Sequence, residues 1–255
     1  MKEYRDFINT DLRVKNFYRL NHKYQTVKKV QELKIKQLNK KMTMIDIIKK
    51  LDDFVDNSDP DLNVPQSQHC FQVAEKIRLD CPENDWFILV GLIHDCGKIL
   101  LEELPDYFVV GDTFPVGCRF SDKIVYYEYF TENEDYYNPF YNTEYGIYSP
   151  NCGFDNVLFS YSHDEYLYNV CIKNNCLLPK EALYIIRYHS FYAQHQHNAY
   201  NHLANDEDLK LMEYVKKFQK YDLYTKENKI INYENVVDYY KNLIDKYFPI
   251  KELAL

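Results

Sequence analysis

An all-α helical bundle carrying a long ordered loop region is the architecture to which this 255-residue sequence points. Apolar residues recur at three- and four-residue spacing along most of the chain, while alternating patterns that would mark strands are hard to find. The helical runs are bounded by capping and breaking residues. Between about Asp106 and Asn151 the pattern changes to Pro and Gly punctuation with dense tyrosine, as in "VVGDTFPVGC" and "YYEYFTENEDYYNPFYN". A stretch of that length in a compact protein is expected to be an ordered loop, with short strands at most, that serves a site.

The elements follow in order. The Lys-rich run from Lys23 to Lys41 reads as the solvated face of a helix, in which His22 carries no signal. Residues 1–42 are expected to form an arm and helix packed on one domain spanning 1–255. From Thr43, the residues Met44, Ile47, Ile48, Leu51, Phe54 and Val55 share a helix face, with Thr43 and Asp46 placed for a capping box. The loop "DNSDPDLNVPQ" ends that helix, and Ser67 is the expected N-cap of the next, which runs to about Leu79. After "CPEND", one continuous helix is expected from Trp86 to Leu101; it is apolar nearly all round and so should be central. Further helices are expected over 155–174, over 179–194 with Pro179 at the first helical position, over 206–224 and over 234–247.

Charge and composition exclude some functions. A net charge of -8 offers no concentrated basic footprint for nucleic acid. Seven cysteines without a Cys-x-x-Cys pair suit free thiols in a reducing compartment. The start "MKEYRDFINTDLR" is too charged for a secretory segment, and no apolar run has the length of a membrane span. The expectation is a soluble cytoplasmic monomer with no nucleic-acid or membrane partner.

Helical geometry turns several polar residues inward. His94 shares a face with Phe87, Val90, Gly91 and Leu101, and Lys98 follows His94 by four and Asp95 by three, so the trio can converge. His69 lines up with Val73 and Ile77, His163 with Phe159 and Val170, His189 with Ala182, Ile185 and Ile186, and Asp222 with Leu211, Val215 and Phe218. Singly, an inward histidine is more often a hydrogen-bonded core residue, and Asp95 is satisfied by pairing with Lys98. Together, unpaired buried acids and imidazoles cost several kcal/mol, a cost that a metal cluster removes. Adjacent His94 and Asp95 suit a bridging carboxylate beside a terminal imidazole, and the donor set, lacking thiolate, suits iron, manganese or zinc. His195, His197 and His202, in "QHQHNAYNH", read as exposed or local.

A histidine, a distant His-Asp pair and a later aspartate resemble the HD-domain superfamily of helical metalloproteins. The blocks "SDPD", "PQSQHCFQ", "DWFILVGLIHDCGK", "VVGDTFPVG", "SHDEYLY", "IRYHSFY" and "FQKYDLYTK", in this order, look like the myo-inositol oxygenase family. The resemblance implies an HD-domain-like bundle with two iron ions per chain, as an Fe(II)/Fe(III) pair. With O2 as co-substrate they cleave the ring of myo-inositol to D-glucuronate and water. It places His69, His94, Asp95 and Asp222 on one iron and His163 and His189 on the other, with Asp95 bridging. Substrate contacts fall on Asp56, Asn57, Ser58, Lys98, Gly111, Asp112, His189 and Ser190. Lys98, its pKa expected to be lowered by the cations, becomes with Asp95 a catalytic candidate as proton partner of a bound alkoxide. The family's Phe-Arg-Asn contact stands here as Phe7-Ile8-Asn9, so that either Arg5 or Arg13 supplies the arginine or the contact is absent. The alternative on this scaffold is a metal-dependent phosphohydrolase, against which Arg78, Arg119 and Arg187 are scattered in sequence. A non-catalytic helical protein is the other alternative.

Overall fold

The Asp11 carboxylate accepts from the Val14 N–H and so starts the first helix, α1 (Leu12–Tyr24). The computed structural model describes residues 7, 10–34, 36–59, 65–223 and 230–255, so the arginine contact expected at Ile8 and its stand-in Arg5 lie outside the described residues. The Lys-rich run is not one helix. It breaks at Gln25, whose buried amide exchanges hydrogen bonds with both backbone groups of Tyr161, and restarts as α2 (Val27–Leu33) under a Thr26 cap. A short antiparallel pair follows, β1 (Lys41–Thr43) with β2 (Glu252–Ala254), the one sheet among the described residues. Thr43, the last residue of β1, also caps α3 (Met44–Lys50). Its hydroxyl accepts from the Asp46 N–H and donates to the Asp46 carboxylate, so the reciprocal half of the capping box falls on the hydroxyl.

Helix α4 (Gln66–Asp80) starts behind Pro65, two residues earlier than expected. Ser67 is not its N-cap. The Ser67 N–H and hydroxyl both donate to Asp52, which fills the capping role from the preceding 3₁₀ turn. Helix α5 (Asp85–Ile93) is buried on nearly every side, as its composition requires, but it does not run on to Leu101. At His94 and Asp95 the chain tightens into a 3₁₀ segment, Cys96–Glu102, opened by the Lys98 N–H bonding to Asp95 O at 2.9 Å.

The region from 106 to 151 is ordered without strands, built from 3₁₀ turns at Asp106–Phe108, Tyr127–Glu132 and Glu134–Tyr137. Aromatic stacking and amide anchors hold it. Phe130 stacks on Phe120 at 4.0 Å and on His22 at 4.1 Å, and Asn133 donates to the carbonyls of His22 and Gln25.

Residues 157–162, expected to be helical, are extended: Ser160 and Val116 bond across to Phe114 and Leu158. Helix α6 (His163–Lys173) therefore begins at His163 under a Ser162 cap, and His163 shares no helix with Phe159. Pro179 is the N-cap of α7 (Lys180–Tyr188), not its first residue, and α8 (Tyr192–His197) is separate from it. Helix α9 (Asp206–Asp222) opens with an Asn205/Asp208 capping box, and α10 (Tyr233–Tyr247) follows an Asn232 cap. Of the histidines expected to be exposed or local, His195 is buried and His197 exposed.

His22 carries more than its sequence context suggested. Its ring is fully buried, edge-on to Phe114 and Tyr18 as well as stacked on Phe130, with Nε2 at 2.7 Å from Val125 O and Nδ1 beside Asn21. Burial pushes its pKa down to about 4. The unfolded chain binds this proton more readily than the folded one, so the stability contributed is complete above the ordinary value of 6.5 and is lost as pH falls toward 4. That amounts to about 3 kcal/mol. Denaturant titrations at pH 7 and pH 4.5 should show His22→Gln flattening the pH dependence; an unchanged slope would contradict this account.

Candidate metal centre

The helix ends just described converge. His69 comes from α4, His94 follows the last residue of α5, Asp95 follows it, His163 opens α6, His189 follows α7 and Asp222 closes α9. Asp222 Oδ1 lies 2.9 Å from His69 Nε2 and 3.4 Å from His94 Nε2. Asp95 divides its carboxylate: Oδ2 is 3.5 Å from His94 Nε2, while Oδ1 is 3.2 Å from His163 Nε2 and 3.9 Å from His189 Nε2. Two donor groups result, His69–His94–Asp95 and Asp95–His163–His189, with Asp95 in both. The break in the helix at Asp95 and the opening of α6 at His163 bring these side chains to one point.

The chemistry of the donors fits a cation in each group. The Nδ1 atoms of His94, His163 and His189 lie 3.0, 2.7 and 3.0 Å from the carbonyls of Gly91, Val109 and Ile186. A carbonyl only accepts, so each Nδ1 carries hydrogen and each Nε2 is left as a lone pair facing the cluster, the arrangement that orients metal-binding imidazoles. His163 Nε2 and His189 Nε2 face each other at 3.2 Å, close enough to share one proton or one cation. His69 Nδ1 is buried with no hydrogen-bond partner. The field agrees. Burial alone would raise the Asp95 and Asp222 carboxyls, yet Lys98 and His94 hold the first, and His69 and His94 the second, well below the usual range. Burial would lower His189, but Asp164 and Asp95 bring it up to about 9, a negative field that also favours a cation.

A ring of polar groups adjoins the donors. Lys98 Nζ is 2.9 Å from Asp56, 3.0 Å from Asp95 Oδ2 and 3.2 Å from Gln66 Oε1, so all three of its N–H groups are spent inside the protein. Burial would depress the ammonium, but Asp56 and Asp95 raise its pKa well above normal. The protein's own groups thus act opposite to the lowering expected from sequence. Asp56 also accepts from the Ser58 N–H and hydroxyl. Ser58 Cβ in turn lies 3.5 Å from where a Gly111 Cβ would stand. Asp112 accepts from the Tyr18 hydroxyl at 2.9 Å, the Thr113 N–H donates to Ser190 O, and Ser190 donates twice to Asp164. Asn57 turns aside, to Asp106.

A family model described as myo-inositol oxygenase matches residues 11–254. The chain belongs to the myo-inositol oxygenase family. It is 51% identical over 245 residues to Inositol oxygenase 1 of Arabidopsis thaliana, covering 93% of this chain and 79% of that protein. It is 47% identical over 260 residues to the inositol oxygenase of Dictyostelium discoideum, covering 98% and 89%, and 49% identical over 254 residues to that of Danio rerio, covering 97% and 91%. Family membership and helical architecture agree with the sequence reading.

Within this family member the arginines expected to be scattered are indeed engaged elsewhere. Arg187 pairs with Glu165 and Asp155, Arg78 with Glu75, and Arg119 faces Asn142. Arg13 donates to the carbonyls of Asp56 and Asp59 and so braces the loop that carries Asp56 and Ser58. Asp164, Gln66 and Tyr18 went unmarked in sequence. Only Asp164 carried a signal, as an acid beside His163. No helix among the described residues is long and apolar enough to cross a membrane.

Gly97 makes the close packing possible, since a Cβ there would lie 2.1 Å from His163 O. Gly97→Ala is therefore expected to cost about 1–3 kcal/mol or more. It should also lower metal content in the group containing His163. Thermal unfolding and metal-to-protein ratios check this, and a variant with normal values in both would refute it.

Proposed function

We propose that this chain is an inositol oxygenase, cleaving the ring of myo-inositol with O2 to give D-glucuronate and water in a four-electron oxidation. The observation that carries the reading is a family-matched chain whose donors, buried except for half-buried His69, form two groups around one shared carboxylate. In this reading His69, His94, Asp95 and Asp222 hold one iron, His163 and His189 hold the second, and Asp95 spans them. When bound, an Fe(II)/Fe(III) pair supplies the redox chemistry by which O2 is reduced and the polyol oxidised.

The chain's own residues do the rest. The carbonyls behind His94, His163 and His189 fix the reactive face of each ring. Inositol offers only hydroxyl groups, so binding it takes convergent polar groups held in place. Asp56, Ser58, Lys98, Gly111, Asp112 and Ser190 supply them, with Asn57 and His189 at the margin. The Lys98–Gln66 bond, the longest of three and made to a neutral acceptor, is the one a substrate hydroxyl would take over.

The test is to give iron-loaded protein of measured metal content myo-inositol under isotopically labelled O2. Glucuronate carrying one labelled oxygen, with the other in water, is expected. Unlabelled or absent product from a filled site would overturn the reading, and hydrolysis of phosphate esters by that same protein would favour the phosphohydrolase.

A further inference from the structure

The C-terminus of α6 closes in a Schellman motif. Asn175 has φ 51°, its N–H bonds to Ile172 O at 3.1 Å, and the Cys176 N–H reaches back to Cys171 O at 3.1 Å. This motif brings the side chains of its first and last residues into contact, ordinarily as an apolar pair. Here both are cysteines, so the motif sets the Cys171 and Cys176 side chains against each other. Both flanks of the turn are pinned, since Asn174 exchanges bonds with Ala254 and the Leu177 N–H donates to Tyr247 O. Cys171 is fully buried and Cys176 partly exposed, so one sulfur of the pair can be reached from solvent.

We propose that Cys171 and Cys176 form a reversible disulfide, with Cys176 as the thiol that reacts first with a small-molecule disulfide. Among the described cysteines with a resolved shift, Cys176 is the only one lowered. The neighbouring Cys171 thiol lowers it against the opposing effect of burial, whereas burial pushes Cys118 up to about 12 and Cys70 and Cys96 well above the normal thiol range. Access decides the order as well: Cys176 is partly exposed and Cys171 is buried, so an external disulfide meets Cys176 first. With glutathione disulfide, the Cys176 thiolate attacks one sulfur, the S–S bond breaks and one glutathione thiol leaves. Cys171 then attacks the Cys176 sulfur, its proton passing to solvent, and releases the second glutathione. Two protein thiols are oxidised and one disulfide is reduced to two thiols. The closed loop is short and adds little chain-entropy stabilisation. Its setting matters more, because residues 174–179 join α6, which begins at His163, to α7, which ends beside His189.

Metal-loaded full-length protein equilibrated in glutathione/glutathione disulfide mixtures, alkylated and digested with trypsin, tests this. Lys173 lies between the two cysteines, so cleavage leaves them on separate peptides joined only by the new bond. Expected are a cross-linked Cys171–Cys176 peptide pair, loss of two alkylatable thiols out of seven, and recovery of both in excess thiol. In Cys171→Ala, glutathione should remain trapped on Cys176. Alkylation of both residues at every ratio in the wild-type protein, or capture of glutathione at Cys81 or Cys152 with Cys176 untouched, would overturn the proposal.

Discussion

Asp95→Asn will empty both cation positions at once and take ring cleavage to background, whereas Asp222→Asn will deplete only the group containing His69 and His94. The difference follows from geometry. Asp95 presents Oδ1 to His163 and His189 and Oδ2 to His94, whereas Asp222 faces only His69 and His94. The amide keeps the shape but removes the negative charge, and one of its faces becomes an N–H donor where both groups need an acceptor. Groups that merely support a ligand are worth about 10- to 100-fold in metal affinity, so loss of the shared ligand should exceed about a hundredfold at both positions. Metal-to-protein ratios after dialysis, read together with labelled glucuronate, decide it. An Asp95→Asn protein that kept one full equivalent of metal would show that the carboxylate belongs to a single group.

The parts of this site that were legible in sequence are those set by helical period. His69, His94 and Asp222 stand on apolar faces, and three- and four-residue spacing is enough to turn them inward. His163 lines up with Val170 in sequence, but helical period with Phe159 does not set its direction. It faces the centre because α6 starts there, after an extended segment tied to residues 114–116, and a pairing so distant leaves no local pattern. The same holds for the end of α5. "GLIHDCGK" has the composition of a continuous helix, and the tightening at Asp95 is a tertiary effect of seating Gly97 against the His163 carbonyl. Capping errors had another origin. Ser67 has the right residue type, but Asp52, fifteen residues earlier, took the role. His22 shows the limit most plainly: it sits among lysines in sequence, and its burial comes from Phe114 and Phe130, which the long loop folds back over it.

Lys98→Met should cost about 3–5 kcal/mol of stability in chelated protein, because it strands two buried carboxylates, Asp56 and Asp95, that now share one ammonium. In metal-loaded protein the loss should be smaller, since cations at the donor groups would keep Asp95 satisfied and only Asp56 loses its partner. Asp56→Asn combined with Lys98→Met removes one stranded charge along with its partner, so the double variant should be more stable than the sum of the two single losses allows. Strict additivity in denaturant unfolding would mean that the pair does not act as a unit. The same variant sorts the lysine's part in turnover. We propose that Lys98, held by Asp56 and Asp95, exchanges its Gln66 bond for a polyol hydroxyl and acts as a fixed cation, with proton transfer as the rival role. A hydrogen bond to a charged group is worth about 1.5–3 kcal/mol, so KM for inositol should rise on the order of 10- to 100-fold at saturating iron, with kcat changed far less. A fall in kcat matching the fall in kcat/KM would instead make Lys98 the proton partner of the reacting hydroxyl.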